Sequence, residues 1–175
     1  MVPLVMTNKY RFLAVLAIFI AAHIPTARAV DEAPALTLTQ LTGFIPADIR
    51  LKKAGKWEAV GMQLATQAMR DKALNKPTEL TFKVEAVEPH PFNGHAICIR
   101  SKPASVKVGG LTMPLLIWAY FPSESVPELR DVSKGNIITV TGNLEKAAVE
   151  LRDGDANLVC NLVGCHVKPA EPAAD

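Results

Sequence analysis

The chain has 175 residues, 49% of them hydrophobic, with 19 basic and 17 acidic side chains. That length suits one domain of ordinary size. The basic excess is small, whereas a protein that neutralises many phosphates usually carries a large one.

The first predicted element is a secretory signal peptide over residues 1–29. Lys9 and Arg11 precede the apolar run Phe12–Ala22, and Ala27-Arg28-Ala29 places small residues at −3 and −1 of a cleavage site. The run is 11 residues long, against the roughly 20 that a spanning helix needs. Of the 175 residues, the 29 removed leave 146, and Lys9, Arg11 and Arg28 leave with them. The mature chain then has 16 basic and 17 acidic residues and a formal charge of −1. No later segment is long and apolar enough to span a bilayer, so a periplasmic or extracellular protein without a membrane span is expected.

Residues 30–54 read as an irregular N-terminal arm, broken by Pro34, Gly43 and Pro46. Trp57–Leu74 reads as an amphipathic helix. Trp57, Val60, Leu64 and Ala68 recur at spacings of three and four, and this stripe is expected to pack on the sheet that follows. Asn75 and Pro77 stop the helix.

From Glu79 the period becomes two. Leu80, Phe82, Val84 and Ala86 alternate with Thr81, Lys83 and Glu85, a strand with one wet face. Pro89 and Pro91 end it. A second strand runs from Ala96 to Val108, interrupted at Pro103, with Ile97 and Ile99 inward and Arg100 and Lys102 outward. Gly109-Gly110 turns the chain into a third strand, Leu111–Phe121. A short helix is expected over Val126–Val132, a fourth strand over Asn136–Leu144, and a fifth within Ala156–Val167 after the turn at Asp153-Gly154-Asp155. The tail, 169–175, reads as loose. The fold class expected is mainly β: a five-stranded OB-fold barrel, preceded by one amphipathic α-helix, over residues 55–168.

The segments Lys134-Gly-Asn-Ile-Ile-Thr-Val-Thr-Gly142 and Leu162-Val-Gly-Cys-His-Val167 resemble the closing half of bacterial OB-fold proteins of the tRNA-anticodon-binding-like group. The Trp-containing helix before the first strand is similar to that of exported members. The resemblance implies an OB barrel; it does not imply that tRNA is the ligand.

Leu115, Ile117, Ala119 and Phe121 suffice to fill a core, which turns Trp118 and Tyr120 to the other face of the same strand. OB proteins often bind ligands on strands two and three, and those that hold single strands stack bases on aromatics. Arg100, Lys102, Trp118 and Tyr120 are therefore the candidate ligand-binding residues, with Lys107 a further cation. The competing reading has the helix covering Trp118 and Tyr120.

Three cysteines, Cys98, Cys160 and Cys165, leave at least one thiol without an intramolecular partner. A Cys160–Cys165 bridge needs the four residues between them to turn or bulge; buried free thiols are the other reading. His90, His95, Cys98 and the pair Cys165-His166 promise two or three convergent ligands where structural zinc takes four, so no metal site is expected. Asp153-Gly-Asp155 lacks the rest of a calcium loop. No nucleophile elbow, P-loop or dinucleotide fingerprint is present, and no cofactor is expected. The expectation is an exported, non-enzymatic module for a protein, peptide or saccharide partner. The alternatives are a single-stranded nucleic-acid-binding protein and, third, a hydrolase with a scattered site.

Overall fold

The computed structural model describes residues 34–90 and 93–168, and side chains outside 90–96. The signal-peptide reading and the tail 169–175 fall outside the described residues.

The stretch expected to be irregular is built into the core. Leu36 bridges to Thr78, and Thr37 and Gln40 form a capping box at the start of α1 (Leu38–Gly43). The Thr37 N–H donates to Gln40 Oε1 at 2.8 Å, and the Gln40 N–H donates to Thr37 Oγ1 at 3.3 Å. Leu41, Ile45 and Leu51 are buried. They share no single period, so no alternation or helical stripe announces them. A hairpin follows, β1 (Lys52–Lys53) and β2 (Lys56–Trp57), turned by Ala54 and Gly55, both at positive φ.

The helix α2 spans Ala59–Ala73, and its orientation differs from expectation. Met62, Ala65, Met69 and Ala73 are buried, while Val60 and Leu64 are 68% and 52% exposed. The reason lies at Gly61. The backbone of Arg50 and Leu51 crosses the helix there, so close that a Cβ on Gly61 would stand 1.9 Å from the Arg50 carbonyl oxygen. Seating the glycine face fixes the rotation of the helix and sends Val60 and Leu64 to solvent. Trp57, expected in the helix, lies in β2 and is half-buried.

The remaining strands are β3 (Pro77–His90), β4 (Asn93–Ser101), β5 (Ala104–Val108), β6 (Leu111–Phe121), β7 (Ile137–Arg152) and β8 (Asp155–Val167). Their pairings close on themselves: β3 with β4, β4 with β6, β6 with β8, β8 with β7, and β7 with β3. Only β6–β8 is parallel in that ring. β5 pairs with the first half of β6, outside the ring. The chain is thus mainly β, with a helix ahead of a sheet that closes.

β3 and β7 pair antiparallel. Leu80 faces Val140 and Phe82 faces Ile138, and all four side chains are buried together with Val84. On the wetter face Thr81 Oγ1 lies 2.8 Å from Thr139 Oγ1. Gly142 sits where β7 slips its register against β8, and a Cβ there would stand 2.8 Å from Cys165 Sγ and 3.0 Å from the Val163 oxygen. Close approach therefore requires glycine at this point.

Several boundaries differ, chiefly those of the short helix and the fourth strand. The short helix is a 3-10 helix over Ser123–Leu129, directly after Pro122 rather than at Val126–Val132. β7 continues eight residues past Leu144 to Arg152, because a second slip between Leu144 and Lys146 breaks the period of two without ending the strand.

Candidate functional site

The inward side of β6 is filled by Leu115, Ile117, Ala119 and Phe121, all buried. Trp118 and Tyr120 accordingly stand on the outer face, half-buried. The register then assembles residues far apart in sequence. Arg100 of β4 lies opposite Trp118, Trp118 lies beside Asn161 of β8, and Asn161 lies opposite Lys146 of β7. One row of the outer face therefore runs Arg100–Trp118–Asn161–Lys146 across four strands. The next row begins Cys98–Tyr120–Val163.

The helix α2 rests on β7, where the Val149 N–H donates to Thr66 Oγ1 at 3.0 Å. What stands over Trp118 is Arg152, its guanidinium carbon 4.8 Å from the ring centroid, within cation–π range. Between α2 and β7 a cleft of about 480 Å³ opens, lined by Thr66 and Arg70 on the helix, Leu74 just past its end, Glu145–Ala148 and Glu150 on the strand, and Asn161 beside them. Lys146 and Asn161 belong both to the row and to the cleft, so the two are continuous.

The cations of this face are already paired. Arg100 Nη2 donates to Glu88 Oε1 at 2.8 Å, Lys146 Nζ lies 2.5 Å from Glu150 Oε1, and Arg152 Nη2 lies 3.3 Å from Glu150 Oε2. The hydrogen bond that Arg100 donates to Glu88 raises its pKa further above the ordinary value. At Glu150 burial raises the pKa, but Lys146 and Arg152 together outweigh it and hold the carboxyl below its usual range. Tyr120 is pushed upward by burial first, then by Cys98 and Glu145. The Arg100 Nε is buried and makes no hydrogen bond.

Lys102 stands apart from this row. It follows the end of β4, is exposed, and its backbone N–H donates to the Lys83 oxygen at 2.7 Å. Its charge acts on Glu85, whose pKa is lowered chiefly by its hydrogen bond to Lys134 at 2.6 Å. Lys107 lies on β5, opposite Thr112, outside the row. The structure thus brings Arg100 and Trp118 together, sets Tyr120 in the adjacent row, and separates Lys102. Asn161, Lys146, Arg152 and Arg70 were not singled out from sequence. Only the parallel β6–β8 register places Asn161 beside Trp118, and no local pattern encodes that register.

One other polar cluster has the composition of a hydrolytic triad. Ser125 Oγ and Glu128 Oε1 lie 3.3 Å and 3.2 Å from His166. Both meet the same ring nitrogen, Nδ1, whereas a relay needs the carboxylate and the hydroxyl on different nitrogens. Glu128 also accepts the Val167 N–H at 3.2 Å, so it ties the end of β8 to the 3-10 helix. Among the described residues no three metal-ligating side chains converge. The three cysteines are free and buried.

No protein-family model matches the chain, and no curated protein matches it. Among solved structures it is similar to a lipoprotein of Klebsiella pneumoniae subsp. pneumoniae MGH 78578, described as a candidate nucleic acid-binding protein. That likeness has 12% identity and a TM-score of 0.41 over 59% of this chain and 77% of the other. It is also similar to a candidate aspartyl-tRNA synthetase of Leishmania major Friedlin, with 10% identity and a TM-score of 0.33 over 89% of this chain. The chain spans 25% of that protein's length. At these scores neither likeness bears on ligand or partner.

Proposed function

We propose that this chain is an exported, non-enzymatic binding module of the OB type. It takes a peptide or saccharide partner on the outer face of β4, β6 and β8. The leader read in residues 1–29 supports export. The closed ring of five strands, with one parallel contact between its third and fifth members, supports the OB reading and directs attention to strands two and three, here β4 and β6. The observation that carries the proposal is the row Arg100–Trp118–Asn161–Lys146 leading into a cleft of about 480 Å³. It combines an aromatic anchor, an amide and paired charges, a set that suits a ligand with both apolar and hydrogen-bonding faces.

The pairing of Arg100, Arg152 and Lys146 with Glu88 and Glu150 favours a neutral partner over single-stranded nucleic acid. A polyanion gains most from cations that lack partners. Glycan and peptide arrays probed with the wild type and Trp118→Ala test the reading. Retention on a defined set of ligands is expected, weakened about 30-fold by loss of the anchor. Undiminished binding by Trp118→Ala contradicts the site. Tight oligonucleotide binding that collapses between about 50 and 200 mM salt replaces the ligand class with nucleic acid.

A further inference from the structure

Four basic residues crowd the segment Arg50-Leu-Lys-Lys-Ala-Gly-Lys-Trp57, and no Asp or Glu lies between Ile49 and Trp57. Arg50, Lys52, Lys53 and Lys56 are all exposed, and none is ion-paired with a described residue, unlike Arg100, Lys134, Lys146 and Arg152. Lys52 Nζ stands 4.1 Å from the centroid of the half-buried Trp57 ring. Immediately beyond, α2 leaves Val60 and Leu64 exposed.

These features meet at one junction. At 100° per residue, Val60 and Leu64 fall on the same side of Gly61, within about 100° of it. Gly61 is the point where Arg50 crosses the helix. The Glu58 N–H donates to the Leu51 oxygen at 3.0 Å, and Leu51 is buried. The basic hairpin and the apolar stripe therefore share one anchored junction.

A nucleic acid would use the cations and leave Val60 and Leu64 idle. An apolar protein partner would use the aliphatic pair and leave four cations without carboxylate partners to be desolvated. An anionic bilayer uses both. Headgroup charge meets the lysines, a Trp ring suits the interface, and aliphatic side chains enter the acyl boundary. We infer that the β1–β2 hairpin and the Val60–Leu64 side of α2 dock this domain on an anionic phospholipid surface. No helix among the described residues is long and apolar enough to cross a membrane.

The test is flotation of the protein, purified from its host, with phosphatidylcholine vesicles made with and without phosphatidylglycerol. Strong preference for the anionic vesicles is expected. Each surface cation multiplies partitioning about fivefold, so K52Q/K53Q/K56Q should lower it about 100-fold. V60S/L64S should lower it at least about tenfold. All five positions are exposed or at the hairpin surface, so both variants should melt with the wild type. Equal binding to the two kinds of vesicle overturns the inference. So does wild-type vesicle binding by either variant. Loss of oligonucleotide binding in the lysine variant, with vesicle binding indifferent to V60S/L64S, assigns the surface to nucleic acid instead.

Discussion

Replacing a helix-interior glycine by alanine ordinarily stabilises by about 1 kcal/mol, and at Gly61 the opposite sign is expected. The new Cβ would stand 1.9 Å from the Arg50 carbonyl oxygen and 2.9 Å from its carbon. Both are backbone atoms, so no flexible side-chain end can give way. Ordinary contact lies near 3.5 Å or beyond, and the Arg50–Leu51 segment must retreat by roughly 1.5 Å to restore it. That retreat lifts Leu51, now 2% exposed, out of the core, at a cost of about 2 kcal/mol. It also strains the 3.0 Å bond from the Glu58 N–H, worth about 1 kcal/mol. After the gain in propensity, a net loss of about 2 kcal/mol remains for Gly61→Ala. Urea denaturation should show a lower midpoint at unchanged slope. Gly43→Ala, with no neighbouring atom within 4 Å, serves as the control and should stay within about 0.5 kcal/mol. A Gly61→Ala protein as stable as the wild type would show that the Arg50–Leu51 segment is not seated on α2.

Phe82→Asp and Val140→Asp should unfold the domain, because each carries an unpaired charge into the shared core. Lys83→Asp and Thr139→Asp, on the wetter face, should cost about 1 kcal/mol or less by thermal denaturation. Met69→Ala should cost about 2–4 kcal/mol, while Leu64→Ala, at a half-exposed position, should be near neutral in urea; the reverse order would restore the helix face expected from sequence. Burial pushes the Cys160 and Cys165 thiols up to about 12, and burial with Glu88 pushes Cys98 up to about 11. With folded values above the ordinary 9.0, the unfolded chain ionises first, so these thiols stabilise below about pH 9 and the contribution is lost as pH rises from there towards 12. At about pH 8 a thiol reagent should react only as fast as the protein opens; rapid labelling would contradict burial.

The strands were legible where one rule governs them. Between Leu80 and Val84, and between Ile138 and Val140, strict alternation fixes inward faces, and the observed pairing follows. The outward placement of Trp118 was legible for the same reason, since its neighbours on β6 complete the core. The helix misleads because burial there follows close approach rather than hydrophobicity. Gly61 and Ala65 win the interior, and the larger Val60 and Leu64 lose it. The N-terminal arm hides its structure because Leu41, Ile45 and Leu51, which reach the core, share no single period. The site was half legible. Arg100 and Trp118 meet across an antiparallel pair within one hairpin-like unit, whereas Asn161 and Lys146 join them only through registers set by the closure of the whole sheet.

The ligand face is tested most directly by photo-crosslinking in the host, with a benzophenone amino acid placed in turn at Trp118 and at Lys107. Lys107 is exposed on β5 and lies outside the row. A discrete adduct from position 118, absent from position 107, is the expected result. No adduct from 118, or the same adducts from both positions, would contradict a binding site on the outer face of β4, β6 and β8.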